Sequence, residues 1–410
     1  MNILRTILAG STALCVAGAA HAAELEVTHW WTSGGEAAAV AELAKAFDAT
    51  GNTWVDGAIA GSGSTARPIM ISRITGGDPM GATQFNHGRQ AEELVEAGLM
   101  RDLTDIAEAN NWRAVINPPS ILDACTVDGK VYCAPLNIHA QQWLWLSDAA
   151  YKQVGLPVPT TWDEFVAAAP KLREAGIVPL AMGQQGWQQN LAFTTLVLTL
   201  LPNDVYLKVY QDKDAGAAAG PEVTRVFEAA AIARDLSKDS NVQDWNQATN
   251  MVITGKAGGQ IMGDWAQGEF AVANQVAGTD YHCLPGLGMK DVLLAGGDAF
   301  YFPVVEDEET QKAQAELAAL ILDPDVQVAF NLKKGSMPVR GDVNLDAANE
   351  CMKKGLAILA NGQTVPDVNI LLTSDTRTQL EDLFKEFFAD PSMTAETAQA
   401  RFVSIIESAD

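Results

Sequence analysis

The chain has 410 residues and a formal net charge of -24, from 51 acidic against 27 basic side chains. Such a balance excludes the basic patches with which proteins hold nucleic acid or anionic membrane surfaces. It leaves the ligand open, because a pocket in an acidic protein can be locally neutral.

Residues 1–22, MNILRTILAGSTALCVAGAAHA, carry Arg5, an apolar run from Ile7 to about Ala20, and the small-x-small ending Ala20-His21-Ala22. This reads as a secretory signal peptide cut after Ala22, with an apolar run too short to span a membrane. Cys15 follows Leu14 rather than a small residue, so no lipid anchor is expected. Cleavage takes 410 residues to 388, too many for one core and suited to two domains.

LEVTHW (25–30) reads as a strand and GGEAAAVAELAKAFDATG as an Ala-rich helix closed by Gly51. NTWVDGAIAG is a second strand. STARPIMISRITGG is a second helix with Pro68 expected in its first turn, where a missing N–H costs least. ATQFNHG and RQAEELVEAGL make a third strand and helix, and CTVDGKVYC is a hairpin around Asp128-Gly129. QQWLWLS (141–147) opens a second unit, followed by the helix SDAAYKQVG. Thr161 with Glu164 predicts a capping box for a helix running towards Gly176. IVPLAMG is a strand, and residues 188–240 are mostly helical with an Ala/Gly loop near 215–220. GGQIMGDW (258–265), YHCLP (281–285) and GGDAFYFPVV (296–305) are strands, and the tail from Glu306 is helical. The alternation predicts an α/β fold with mostly parallel sheets. Ligands meet such sheets beyond the carboxyl ends of strands, which is where Trp30 and Trp31 fall.

Beyond the signal peptide lie Cys125, Cys133, Cys283 and Cys351. An even count in an exported chain suggests disulfides, with three possible connectivities. The hairpin would set Cys125 opposite Cys133, leaving Cys283 with Cys351. The alternative is four free buried thiols. Neither the cysteine spacing nor the 5 histidines suggests a metal site.

Several of the 10 tryptophans fall in loop-like settings, most of them near glycines: Trp30, Trp31, Trp187, Trp245 and Trp265. A hexose has apolar C–H faces that flat indoles cover, and a belt of hydroxyls that need polar partners once buried. Such partners adjoin the aromatics: Glu36, then Gln84, Asn86 and His87, then Asn137 and His139, then Asp264, Asp298 and Lys334. Taken singly each has a plainer reading, as core aromatic or helix cap. Trp112, Trp162, Trp143 and Trp145 read as core. No GxSxG elbow, P-loop or GxGxxG occurs. A paired-carboxylate glycosidase drawn from Glu36, Asp264, Glu269 and Asp298 is the competing reading.

HWWTSGGE, QFNHGRQAEEL, DGKVYCAPLNIH, WLWLS, PTTWDEF, GWQQN, GKAGGQIMGDWAQGEF, GGDAFYFP and LKKGSMPVR span most of the chain. Together they resemble extracellular solute-binding protein family 1, the periplasmic sugar-binding proteins of ABC importers, in its glucose/mannose branch. The resemblance implies a two-lobed periplasmic binding protein fold with a hinge and an interlobe ligand cleft. One lobe would comprise residues 23–132 and 285–338, the other 133–284 and 339–410. Trp30 and Trp31 would line the pocket and Glu36 would accept hydroxyl bonds. Gln84 with Asn86 or His87 would be further partners, Trp245 and Trp265 an opposing wall, and Asp298 and Lys334 ligands of ring hydroxyls. A late histidine used in the branch has no counterpart, since none follows His282, and Asn361 would stand in. The expected function is periplasmic capture of a small-molecule sugar, such as glucose or mannose, and delivery to membrane permease subunits. A chemoreceptor is a further candidate partner. A monomer without cofactor, metal or catalytic activity is expected; the alternative is a secreted carbohydrate-active enzyme.

Overall fold

The computed structural model describes residues 23–409, so the expected signal peptide and its cut after Ala22 lie outside the described residues. Two larger sheets are built from β1 (Glu24–His29), β2 (Thr53–Ala58), β3 (Ala82–Asn86), β4 (Cys133–Pro135), β5 (Trp143–Ser147), β6 (Val178–Ala181), β7 (Ala257–Met262), β8 (Tyr281–Pro285) and β9 (Asp298–Tyr301). Seven helices matter for the site: α1 (Gly34–Asp48), α2 (Ser62–Thr75), α3 (Gly186–Leu200), α4 (Trp245–Ile253), α5 (Ala266–Val272), α6 (Pro324–Lys334) and α7 (Ser374–Ala389).

The first sheet has the order β2-β1-β3-β9-β4 and the second β8-β5-β7-β6. Strands β1, β2 and β3 are parallel, as the strand–helix alternation predicts. Elsewhere the expectation of mostly parallel sheets is corrected. Strand β9 runs antiparallel to both β3 and β4, and β5 antiparallel to both β7 and β8. The reason is the route of the chain: β9 enters the first sheet from the second lobe, not from a crossover helix, and so runs back along β3.

The same pairings move the expected lobe boundaries. Cys133–Pro135 pairs with β9, so it belongs to the first lobe. Pro285 pairs with Trp143 in the second sheet, so it belongs to the second. Val339 accepts a 2.8 Å bond from Asn117 N and Arg340 bridges to Ile116, which keeps both on the first lobe. The chain crosses between lobes beyond Pro135, between Pro285 and Asp298, and beyond Arg340.

Local expectations fare unevenly. Asp128 and Gly129 both have positive φ, 50° and 79°, as a tight two-residue hairpin turn requires. Cys125 and Cys133 are joined with Cα atoms 5.1 Å apart, and Cys283 and Cys351 at 6.0 Å. The stacked pair Trp143 and Trp145 is buried, as are Trp112 and Trp162. Pro68 lies in the interior of α2, not its first turn, because the helix already starts at Ser62. Only half of the expected capping box exists: Thr161 Oγ1 accepts from Glu164 N, but the Glu164 carboxylate turns to Thr160 N and Oγ1 at 2.7 and 2.8 Å. Ala215–Ala218 forms a helical turn inside the expected loop. Among the described residues no helix is long and apolar enough to cross a membrane.

Candidate ligand-binding site

Between the lobes lies a cleft of about 430 Å³, lined from both sides. The first lobe contributes Trp30, Trp31, Glu36, Arg67, Asn86, Asp298 and Lys334. The second contributes Trp187, Asp244, Trp245, Trp265, Arg377 and Glu381, with His139 and Asn369 near the crossovers.

The floor is a chain of charges. His139 Nε2 lies 2.6 Å from Asp298 Oδ2 and its Nδ1 2.8 Å from Asp264 Oδ1. Asp298 begins β9 in the first lobe, and Asp264 follows β7 in the second, so the imidazole ties the lobes together. Burial opposes charge on His139, but the two carboxylates outweigh it and push the ring up to about 9. Burial would likewise raise Asp298; the His139 charge and hydrogen bond, with Lys334 and Asn137, instead hold it well below the usual carboxylate range. Burial raises Asp264, against His139 and a 2.7 Å bond from Ala140 N. At neutral pH the floor therefore holds an imidazolium against ionised Asp298.

Asp298 is further wired by three amides. Gln84 Nε2 donates to Oδ1 at 2.9 Å, Asn137 Nδ2 to Oδ2 at 3.0 Å, and Asn86 Nδ2 to Oδ1 at 3.4 Å. Asn137 Oδ1 accepts from Asp298 N at 2.8 Å. Beside this, Lys334 Nζ donates to Glu36 Oε1 at 2.7 Å, joining the end of α6 to the first turn of α1. The ammonium lies 5.7 Å from the Trp31 ring centre and 5.8 Å from that of Trp265, one indole from each lobe.

The aromatic wall is built around Trp265. Its ring folds back over Gly263, where a β-carbon would stand 2.2 Å from it, so GDW needs its glycine. His139 meets it edge-on at 4.9 Å, Trp187 is tilted against it at 6.4 Å, and Trp245 is edge-on at 6.5 Å. Gln185 fixes Trp187 by accepting its Nε1–H at 2.8 Å.

Of the expected site residues, Trp30, Trp31, Glu36, Asn86, His139, Trp187, Trp245, Trp265, Asp298 and Lys334 line this one cleft. Gln84 and Asn137 do not; they lie beneath it and orient Asp298. His87 does not line the cleft. It is fully buried, and burial pushes it down to about 4, so it is neutral at pH 7. Trp31 is buried, packed on Phe300 and Phe330 at 5.7 and 5.4 Å, and lines the cleft from within that packing. Asn361 ends a helix on the surface and is not a stand-in for the late histidine; Asn369 reaches the cleft instead. Sequence reasoning missed Arg67, Arg377, Glu381 and Asn369, which sit in helices with no adjacent glycine–aromatic signal, and also Gln185 and Asp244, although Gly186-Trp187 follows the one and Trp245 the other.

Residues 31–327 match the family model described as bacterial extracellular solute-binding protein. The chain belongs to that family. A solute-binding protein from Rhizobium meliloti (strain 1021), described as a probable sugar-binding periplasmic protein, is 38% identical over 368 residues, covering 89% of this chain and 88% of its own. Among solved structures, a chitin oligosaccharide binding protein superposes with TM-score 0.77 at 18% identity, over 94% of this chain and 98% of its own. A bacterial solute receptor with an exclusive preference for β-D-galactopyranose gives TM-score 0.74 at 20% identity, over the same shares. At those identities the structures speak for the fold. This solute-binding protein thus has two lobes, a hinge of several crossovers, and polar and aromatic side chains gathered between them.

Proposed function

We propose that the chain is the periplasmic sugar-binding component of an ABC importer and that its ligand is one pyranose ring of the glucose or mannose kind. The observation that carries the reading is the meeting of Trp265 from one lobe with Trp31, Lys334 and Asp298 from the other inside a single cleft. An indole face covers the C–H surface of a sugar, and charged groups make the strong hydrogen bonds to its hydroxyls. Relatives described as probable sugar-binding periplasmic proteins support the same class.

The mechanism is selection of the closed form. A ring that touches both lobes gains contacts on closure that it lacks in the open form, and this difference moves the equilibrium. In the structure Gly35 N of α1 donates to Glu269 Oε1 of α5 at 2.7 Å, so the lobes also meet directly beside the cleft. The closed form then docks on the membrane permease, and ATP hydrolysis on the cytoplasmic side drives transport. Micromolar affinity corresponds to about -8 kcal/mol, and hydroxyl bonds worth about 1 kcal/mol each with one stacked face can reach it after ordering costs.

Calorimetry and tryptophan fluorescence against a monosaccharide panel test this. Micromolar binding of a pyranose is expected, with the sugar recovered unchanged. At 100 times the dissociation constant the ligand should add about 2.7 kcal/mol of stability. Trp265→Ala should weaken binding at least tenfold in a protein that still melts cooperatively. Absence of binding to every sugar, or release of products from oligosaccharides, would overturn the proposal.

A further inference from the structure

At one end of the cleft stand two guanidiniums that no carboxylate of the described residues pairs directly. Arg67 projects from α2 in the first lobe and Arg377 from α7 in the second, and both line the cleft. Among the described residues neither takes part in an ion pair. Arg377 donates to Asn369 Oδ1 and, at 2.9 Å, to Ser374 Oγ, while its Nε is buried without a partner. Among the described residues Arg67 has no side-chain hydrogen-bond partner; its guanidinium lies 5.7 Å from the Trp30 ring centre. Gly63 makes that placement possible, since a β-carbon there would sit 2.4 Å from Nη1. The guanidinium is therefore held on a platform that faces the cleft.

Other charges do not cancel this pair. Lys334 is matched by Glu36 and His139 by Asp298, and Asp244 caps α4 while accepting from Gln185 at 2.8 Å. Arg89 is matched by Glu92 at 2.7 Å. That leaves Glu381 and the deeper Asp367. Glu381 spends a bond on Ser64 at 3.4 Å, and Asp367 is engaged by Asn369 N and Gln141. Burial raises both carboxyls, and neither comes within ion-pair distance of Arg67 or Arg377. Burial and the neighbouring Arg67 bring Arg377 down to about 10, a guanidinium still charged at neutral pH. Native proteins seldom leave a buried guanidinium nitrogen unpaired, and such a nitrogen asks for an acceptor.

We propose that the sugar this cleft selects carries an anionic group, a carboxylate or a phosphate, which Arg67 of one lobe and Arg377 of the other grip together as the cleft closes. Guanidinium forks suit both oxyanions, and an anion drawn by both lobes rewards closure directly. The inference rests on the sugar-binding reading and narrows it from a neutral ring to an acidic one. The polar floor would take the hydroxyls and Trp265 the ring face, with the anion at the arginine end.

The test is calorimetry on the mature protein with matched ligands: glucose and mannose, glucuronate and mannuronate, and the hexose 6-phosphates. One acidic class should bind at least tenfold more tightly than its neutral parent, and the uronate and phosphate arms say which oxyanion is meant. The advantage should shrink as salt rises, because part of it is screened. In Arg377→Gln and in Arg67→Gln the ratio of acidic to neutral affinity should fall towards one, with melting curves reporting that each variant folds. A second conservative variant, Arg377→Lys, should keep part of the ratio. Equal or tighter binding of the neutral parents overturns the inference and leaves the sugar-binding reading standing. No binding of any of these ligands overturns both.

Discussion

The two ends of the cleft are built on opposite principles. At the floor every charge already has a partner: His139 lies between Asp264 and Asp298, three amides converge on Asp298, and Lys334 meets Glu36. At the arginine end two guanidiniums face carboxylates too distant to pair with them, and Arg377 Nε has no acceptor. Buried charge is tolerable only when compensated. The floor meets that condition within the protein, which makes it part of the fold as well as of the site. The arginine end has carboxylates nearby but none paired with it, and the proposed anion would complete it. Substitutions should therefore damage folding at one end and recognition at the other.

The largest effect is expected at Asp298. Alanine there removes one of the two carboxylates holding the His139 ring and strands the amides of Gln84 and Asn137. Removing one member of a buried ion pair typically costs about 3–5 kcal/mol. Guanidinium unfolding of Asp298→Ala should show a loss of that size, with sugar affinity reduced at least tenfold. A variant less than about 1 kcal/mol below the parent would mean that the floor is not structurally wired.

A second effect, on the order of 3 kcal/mol, should appear without mutation. The folded His139 pKa of about 9 exceeds the ordinary 6.5, so its stabilising contribution is whole below pH 6.5 and is lost as pH rises through about 9. His87 has the opposite sign. Held near 4, it refuses a proton that the unfolded chain accepts, so stability also falls as pH drops from 6.5 towards 4. Ligand-free stability from these two groups should crest near pH 6.5. Denaturation midpoints measured at intervals from pH 4 to 10 check this, and His139→Gln should flatten the alkaline limb. An unchanged alkaline limb in that variant would assign the slope elsewhere.

The floor was also the part of the site legible in the sequence. Asp298, His139 and Lys334 each stand beside a glycine, a strand end or a tryptophan, where chemistry at the carboxyl edge of a sheet is expected. The disulfide across the hairpin was legible for the same local reason, since Asp128-Gly129 fixes the turn and the turn fixes the distance. Long-range pairing was not. Nothing in GGDAFYFPVV says that β9 joins the first sheet antiparallel after a passage through the second lobe. The two adjacent indoles look alike in sequence, and only packing shows Trp31 wedged against Phe330 and Trp30 left under Arg67. His87 misled because it follows two residues that do reach the site or orient it. Arg67 and Arg377 were invisible for another reason. A lone arginine in an amphipathic helix reads as a solvated face, and what sets these two apart is that their helices, with the arginines 310 positions apart (377 less 67), converge on one space.

The smallest effect carries the sharpest contrast. In the ligand-free protein Arg377→Gln removes a charge repelled by Arg67 and burdened by burial, and it gives up hydrogen bonds to Asn369 and Ser374. The first change relieves the folded state, and the second costs about 1.5–3 kcal/mol for each bond from the charged guanidinium, less what the glutamine amide regains. The terms oppose, so the net should stay within about 1 kcal/mol of zero. Chemical denaturation of the ligand-free variant beside Asp298→Ala measures the difference between the two ends directly. A loss above about 2 kcal/mol in Arg377→Gln would show that this guanidinium, like the floor, is held for folding. A near-neutral result, together with a collapsed preference for acidic sugars, would leave recognition as the reason for its burial.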